Sequence, residues 1–309
     1  MRRVLVIVIT AGLAAAAWAS PPTYEYKGQW TGTGYIGGVA VAPNGNVYIS
    51  DWVNHYVRYF NSSGTLLGSW GGMGSGRGQF NHPGGLDASG SYAYVADFDN
   101  HRVQCFNLTG SFYYTWGSRG TGAGYFINPS DVEVGSNSYV YVNDRGNNRI
   151  QYFTSNGTFV GSWVSDFNQP DGVGIAGNGN VYVSDRMNHR IQYFTSAGSP
   201  LGRWGTSGSG NGQFNEPLGN EISKNGIVHV ADRKNHRVQY FTLTGSFLGK
   251  FGSKGSGNGQ FDETLDVALS PSGVRVYASD ANNRRIQYFE QTNPAVVPAS
   301  LGKVKVLFR

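Results

Sequence analysis

One ten-residue phrase returns six times along this chain, and no other feature narrows its possible folds so far. It runs Asp51-Trp-Val-Asn-His-Tyr-Val-Arg-Tyr-Phe60, then Asp97-Phe-Asp-Asn-His-Arg-Val-Gln-Cys-Phe106, then Asp144-Arg-Gly-Asn-Asn-Arg-Ile-Gln-Tyr-Phe153. Three more copies follow: Asp185-Arg-Met-Asn-His-Arg-Ile-Gln-Tyr-Phe194, Asp232-Arg-Lys-Asn-His-Arg-Val-Gln-Tyr-Phe241 and Asp280-Ala-Asn-Asn-Arg-Arg-Ile-Gln-Tyr-Phe289. The aspartates stand 46, 47, 41, 47 and 48 residues apart. A period in the forties means one supersecondary unit used repeatedly, each copy burying its apolar face against the next. The 46 glycines and heavy use of Tyr, Val and Phe suit strands and tight turns rather than helical repeats.

The second copy shows the unit. Residues 83–88 read as a first strand, 92–96 as a second, 102–106 as a third and 111–116 as a fourth, separated by Gly/Asn/Ser turns. Four antiparallel strands per period describe a propeller blade. The sixth copy supplies first, second and third strands at 265–269, 274–280 and 285–290 and then ends without a fourth. Tyr24-Glu-Tyr-Lys-Gly-Gln-Trp30 resembles the fourth strand Thr65-Leu-Leu-Gly-Ser-Trp70. The N-terminal strand can therefore complete the last blade and remove two open sheet edges. The expectation is an all-β, six-bladed β-propeller of four-stranded antiparallel blades.

The phrase Asp-x-x-Asn-His-Arg-(Val/Ile)-Gln-Tyr-Phe resembles the NHL repeat over about residues 24–290. Full Asn-His-Arg triplets stand at Asn100-His101-Arg102, Asn188-His189-Arg190 and Asn235-His236-Arg237. The other copies keep Asp51 with Asn54, Asp144 with Asn147, and Asp280 with Asn283, but vary the rest of the triplet. These residues, with Asp97, Asp185 and Asp232, are expected to tie the turn between second and third strands. The aspartates and asparagines can bond backbone amides, and the arginine can pair with a carboxylate. One histidine per blade, at His55, His101, His189 and His236, does not converge as zinc requires.

Residues 1–19 read as a secretory signal peptide, with Arg2 and Arg3 ahead of the apolar run 4–17 and Ala17-Trp18-Ala19 at the cleavage site. Fourteen apolar residues fall short of the roughly 20 needed to span a bilayer. The expected product is a propeller of residues 20–292 with a linker and tail at 293–309, secreted or held at the cell surface or in the periplasm. Removing Arg2 and Arg3 lowers the formal charge from +5 to +3, which argues against a nucleic-acid partner. Cys105 is the only cysteine, so neither an internal disulfide nor a cysteine-based zinc site can form.

No nucleophile elbow or His-Glu-x-x-His occurs. The glycine-rich stretches Gly74–Phe80, Gly208–Phe214 and Gly255–Phe261 lack the Lys-Ser/Thr and helix of a phosphate loop and read as inter-blade loops anchored by phenylalanine. Two sets of residues remain as candidates. First strands carry Asp87, Asp131, Glu133, Glu221 and Asp266 toward the channel, where hard oxygen ligands could hold Ca²⁺, though no cofactor is required by the pattern. The turns after each aspartate carry Trp52, Phe98, Arg145, Arg186, Arg233 and Lys234, the residue types that binding faces use. These considerations lead to a monomeric, non-enzymatic binding scaffold for a protein, peptide, anionic or glycan-like ligand. The alternative is a secreted propeller enzyme, lyase or hydrolase, with a metal in the channel.

Overall fold

The computed structural model describes residues 21–292; the leader at 1–19 and the tail at 293–309 lie outside the described residues. Six four-stranded antiparallel sheets are arranged as the blades of a propeller. Blade one runs outward from Ile36–Val41 through Val47–Asp51 and Tyr56–Phe60 to Leu66–Gly71. The innermost strands of blades two to six are Pro83–Ser89, Pro129–Val134, Pro170–Ile175, Pro217–Ile222 and Val267–Leu269. Second strands such as Val47–Asp51 and Val181–Asp185 are buried throughout, because neighbouring blades cover both faces. Outer strands such as Phe112–Trp116 alternate between half-buried and exposed. The core is divided between blades: Tyr48 and Val57 of blade one pack with Leu86, Val95 and Phe106 of blade two, and the pattern repeats around the ring. Phe80, Phe126, Phe214 and Phe261, fully buried, anchor the inter-blade loops as expected.

Closure follows the predicted route. Tyr24–Thr31 pairs antiparallel with Arg285–Gln291, from Tyr24 opposite Gln291 to Thr31 opposite Arg285. Trp30 then packs on Gly64 of blade one, as Trp70 packs on Gly110 and Trp116 on Gly157. One substitution marks the seam. In blades one to four a second-strand tyrosine (Tyr48, Tyr94, Tyr141, Tyr182) donates its hydroxyl to a carbonyl in the third-to-fourth-strand turn of the next blade. Blade six has no such turn, because its fourth strand comes from the N-terminus. Blade five accordingly carries His229, whose Nε2 lies 2.8 Å from the Tyr24 hydroxyl.

The repeat phrase is a stitch between blades. Asp97, Asp144, Asp185, Asp232 and Asp280 are fully buried, and each accepts Nε of the arginine five residues on, at 2.5–2.7 Å. The arginine paired with its own aspartate then reaches back to loop carbonyls; Arg102 donates to Ser75, Gly76 and Gln79. The residue after each asparagine sits in the left-handed region, φ 53–62° for His55, His101, His189 and His236. From there its Nδ1 accepts a backbone amide 27 residues on: His82, Asn128, Glu216 and Glu263 respectively. Asn148 takes the same position in blade three and accepts the Gln169 amide. The histidines are thus acceptors in the wall. Two local features depart from expectation. The post-aspartate turn is a single 3-10 turn in blades two to five. The innermost strand of blade six starts at Val267 rather than 265, because the Leu265 and Asp266 amides donate to Ser279 Oγ instead of the ladder.

Candidate active site

The free turn positions converge. Trp52, Phe98, Arg145, Arg186 and Arg233 all line one axial cavity of about 250 Å³, together with Tyr35, Ser130, Asp131, Asp171, Leu218, Leu265 and Asp266. Two devices aim them inward. The first is the turn after the buried aspartate, a 3-10 turn in blades two to five and a plain turn in blade one, whose first residue is the one that lines the cavity. The second is a register shift in the innermost strands of blades one to five, at Ile36/Gly38, Pro83/Leu86, Pro129/Asp131, Pro170/Val173 and Pro217/Asn220. Bulges of this kind bend a strand and re-aim its side chains. Here they turn Ser130, Asp171 and Leu218 toward the axis.

The rim divides into an aromatic half and a charged half. Trp52 packs edge-on to Phe98 at 5.0 Å and lies against His82 at 5.1 Å, while His82 Nδ1 pairs with Asp99 at 2.7 Å. On the charged side Arg186 and Arg233 share Glu216, at 2.5 and 3.0 Å, and Arg233 also holds Glu263 at 2.8 Å. Burial opposes ionisation of Glu216, yet Arg186 and Arg233 keep its pKa below the ordinary value. Lys234 is not among the residues lining the cavity; its ammonium lies 2.5 Å from Glu263 Oε1. Arg145 is the least compensated cation. Its closest acid is Asp171 at 3.4 Å, its other partners are Gln169 Oε1 at 3.0 Å and the Phe98 ring, and burial lowers its pKa.

The floor is carboxylate on glycine. Asp131 and Asp266 occupy the same place in blades three and six, where the other blades have Gly38, Gly85, Gly172 and Gly219. A Cβ on Gly85 would lie 1.8 Å from Asp131 Oδ1, and one on Gly219 would lie 1.8 Å from Asp266 Oδ1. Asp131 accepts the Val132 amide at 2.9 Å and the Val173 amide of the next blade at 2.8 Å. Asp266 accepts the Val267 amide at 2.9 Å and the Val39 amide of the next blade at 2.7 Å. Each carboxylate therefore touches three consecutive blades.

The five channel acids do not form one cluster. Asp87, Glu133 and Glu221 line a separate cavity of about 300 Å³ at the opposite mouth, and Asp87 accepts the Val134 amide there. Burial, then the neighbouring acids, pushes the pKa of Glu133 well up. Among the described residues no three His, Cys, Asp or Glu side chains gather as a metal site. Tyr35, Ser130 and Asp171 were not singled out from sequence; the signal for Asp171 was its place beside the inter-blade proline, where a polar residue on an inner strand has only the axis to face.

The NHL repeat family model matches residues 167–194, the loop entering blade four and that blade's three inner strands, and the chain folds as a six-bladed β-propeller that carries this repeat. No curated protein matches the sequence. Among solved structures, an X-ray structure assigned as a gluconolactonase superposes with a TM-score of 0.66 at 15% identity, covering 89% of this chain and 97% of that one. A gluconolactonase from Xanthomonas campestris gives 0.62 at 13% identity, covering 89% of this chain and 88% of that chain. Hydrazine synthase from Kuenenia stuttgartiensis gives 0.61 at 13% identity, covering 85% and 97%. At these identities the likeness shows the fold. It also corrects the expectation of a non-enzymatic scaffold. That expectation rested on the lack of a contiguous nucleophile motif, whereas two of the solved propellers that superpose on this one carry the name gluconolactonase.

Proposed function

We propose that the axial cavity is the active site of an exported hydrolase that opens a small, ring-bearing ester or lactone to an anionic acid. The observation that carries this reading is the convergence of Trp52, Phe98, Arg145, Arg186 and Arg233 above the Asp131/Asp266 floor. A volume of about 250 Å³ lies at the small end for ligand sites, which run to about 300–1,000 Å³, so the occupant is of monosaccharide size rather than a protein or peptide. Arg145 has a single acid nearby, Asp171 at 3.4 Å, and is partly desolvated, the condition in which a developing oxyanion or a product carboxylate gains most from a guanidinium. Trp52 and Phe98 supply faces for a sugar-like ring. The gluconolactonase names of two structural neighbours support a cyclic ester as the reacting group, and the arginine-led apolar leader supports export.

The test is proton release from glucono-1,5-lactone in a pH-stat, with the spontaneous rate subtracted. We expect saturable hydrolysis, and in Arg145→Ala a kcat lowered about tenfold or more with weaker gluconate binding, as for loss of a contact to the developing oxyanion and the product carboxylate. Absence of enzyme-dependent release, with no binding of gluconate by calorimetry, refutes the reading.

A further inference from the structure

The waist position around the ring reads Gly38, Gly85, Asp131, then Gly172, Gly219, Asp266. A wall with six-fold repetition therefore closes on a floor with two-fold repetition. The local geometry repeats as well. A Cβ on Gly38 would sit 2.7 Å from the Gly85 Cα, and one on Gly172 would sit 2.8 Å from the Gly219 Cα. Both carboxylates lie over the preceding blade's glycine and accept one amide from their own blade on Oδ1 and one from the next blade on Oδ2. Blades three and six face each other across the axis. Two amides fix the plane of each carboxyl group, and an ionised carboxylate has about four lone-pair directions, so each keeps acceptor capacity after those bonds are made.

From this placement we infer that Asp131 and Asp266 are the catalytic base and acid of the hydrolysis proposed above, an inference that rests on that reading. The ionised member takes a proton from water as the water oxygen bonds to the ester carbonyl carbon and the carbonyl π electrons move to oxygen. When the carbonyl re-forms, the bond to the ring oxygen breaks, and the protonated member gives its proton to that oxygen. Ester and water become acid and alcohol; the proton has passed from one aspartate to the other. Two carboxyls facing one desolvated space do not both ionise readily. Burial first, and then Asp266, pushes the pKa of Asp131 well up, and burial pushes that of Asp266 up to about 7. The charged groups around the pair are Asp171, Arg145, Arg186 and Arg233 above it and Asp87, Glu133 and Glu221 beneath.

The experiment compares wild type, Asp131→Asn and Asp266→Asn on glucono-1,5-lactone, with gluconate binding and melting temperature measured alongside. We expect each variant to lose about 100-fold or more in kcat, the scale of general acid–base catalysis, while binding gluconate within about threefold of wild type. A wild-type bell-shaped pH profile should lose one limb in each variant. Independently of any variant's folding, ¹³C-aspartate NMR of the wild type should show two coupled carboxyl titrations, one above about pH 6. Variants that stay folded and keep more than about a tenth of kcat, or a wild type whose aspartates all titrate below about pH 5, overturn the pair and leave the site reading intact. A wild type that neither hydrolyses the lactone nor binds gluconate overturns the site reading and the pair with it.

Discussion

Removing a repeat aspartate should cost very different amounts in different blades, and the structure says by how much. The Asp232 carboxylate accepts five hydrogen bonds: one from the Asn215 amide, two from Asn235 Nδ2, and one each from Arg237 Nε and Gln239 Nε2. Arg237 is only 5% exposed. Asp232→Ala therefore strands a buried guanidinium, and breaking a buried pair from one side costs about 3–5 kcal/mol. Arg237 still donates to the carbonyls of Ser209, Gly210 and Gln213, which places the loss near the lower end, about 3 kcal/mol. In blade one, Tyr56 stands where the other blades have arginine. Asp51 keeps only the Asn54 amide and Nδ2 as hydrogen-bond donors and a 3.2 Å contact to Arg58, whose side chain is 25% exposed. Asp51→Ala strands no buried cation and should cost about 1–2 kcal/mol, the price of two hydrogen bonds and a half-solvated pair. Urea unfolding followed by tryptophan fluorescence measures both. Adding Arg237→Leu to Asp232→Ala should restore part of the loss, because the orphaned charge goes with it. Equal losses for the two single variants within about 0.5 kcal/mol, or a double variant less stable than Asp232→Ala, would refute the stranded-charge account.

Acid should weaken the ring through its histidines. Burial lowers the pKa of His55 and His101 below the ordinary 6.5, so the folded state prefers them neutral, as their amide-accepting Nδ1 atoms require. Their contribution is complete above about pH 6.5 and is lost as pH falls toward the folded-state values; His101→Asn, which copies Asn148, should flatten the decline in melting temperature between about pH 7 and 5. Trp30→Ala at the seam should cost about 3–5 kcal/mol and expose the ring to proteolysis, since Trp30 packs with Phe60, Tyr277 and Tyr288; a change under about 1 kcal/mol would mean that the N-terminal strand does not hold the ring. Calorimetry with Ca²⁺ should give no stoichiometric heat, since the channel acids are divided between two cavities; a one-to-one exotherm would restore the cation reading.

The ring was legible because six near-copies repeat the same chemistry, and the missing fourth strand of the last copy pointed to residues 24–30. The rim was half legible. Trp52, Phe98 and the three arginines stand out as positions the repeat leaves unspecified, but their convergence depends on the inward aim of the turn after each aspartate. Lys234, one residue further along that turn, pairs with Glu263 and does not line the cavity. The floor was hardest to see. Asp131 and Asp266 were visible as channel acids, yet their equivalence emerges only when inner strands are aligned from the inter-blade residue onward, because the bulge shifts side-chain direction. The histidines looked like turn residues. That their Nδ1 atoms reach an amide 27 residues away follows from a left-handed backbone, which no local pattern announces. The enzymatic reading was missed for a related reason: a ring assembles a site from one residue per blade, so no contiguous motif exists to find.

The mismatch between a six-part wall and a two-part floor has a kinetic consequence. Rotating a bound molecule by half a turn about the axis presents it with the same pair of acids in exchanged positions, so the floor alone cannot tell one end of the substrate from the other. Only the rim, aromatic on one side and cationic on the other, breaks the tie. Orientation and chemistry are thus assigned to different layers of one cavity. On the proposed mechanism the proton ends each cycle on the opposite aspartate while the rim still holds the substrate one way round, so the pair must exchange its proton before the next turnover; a rim evened out by mutation would remove that step, because the substrate could enter turned to match.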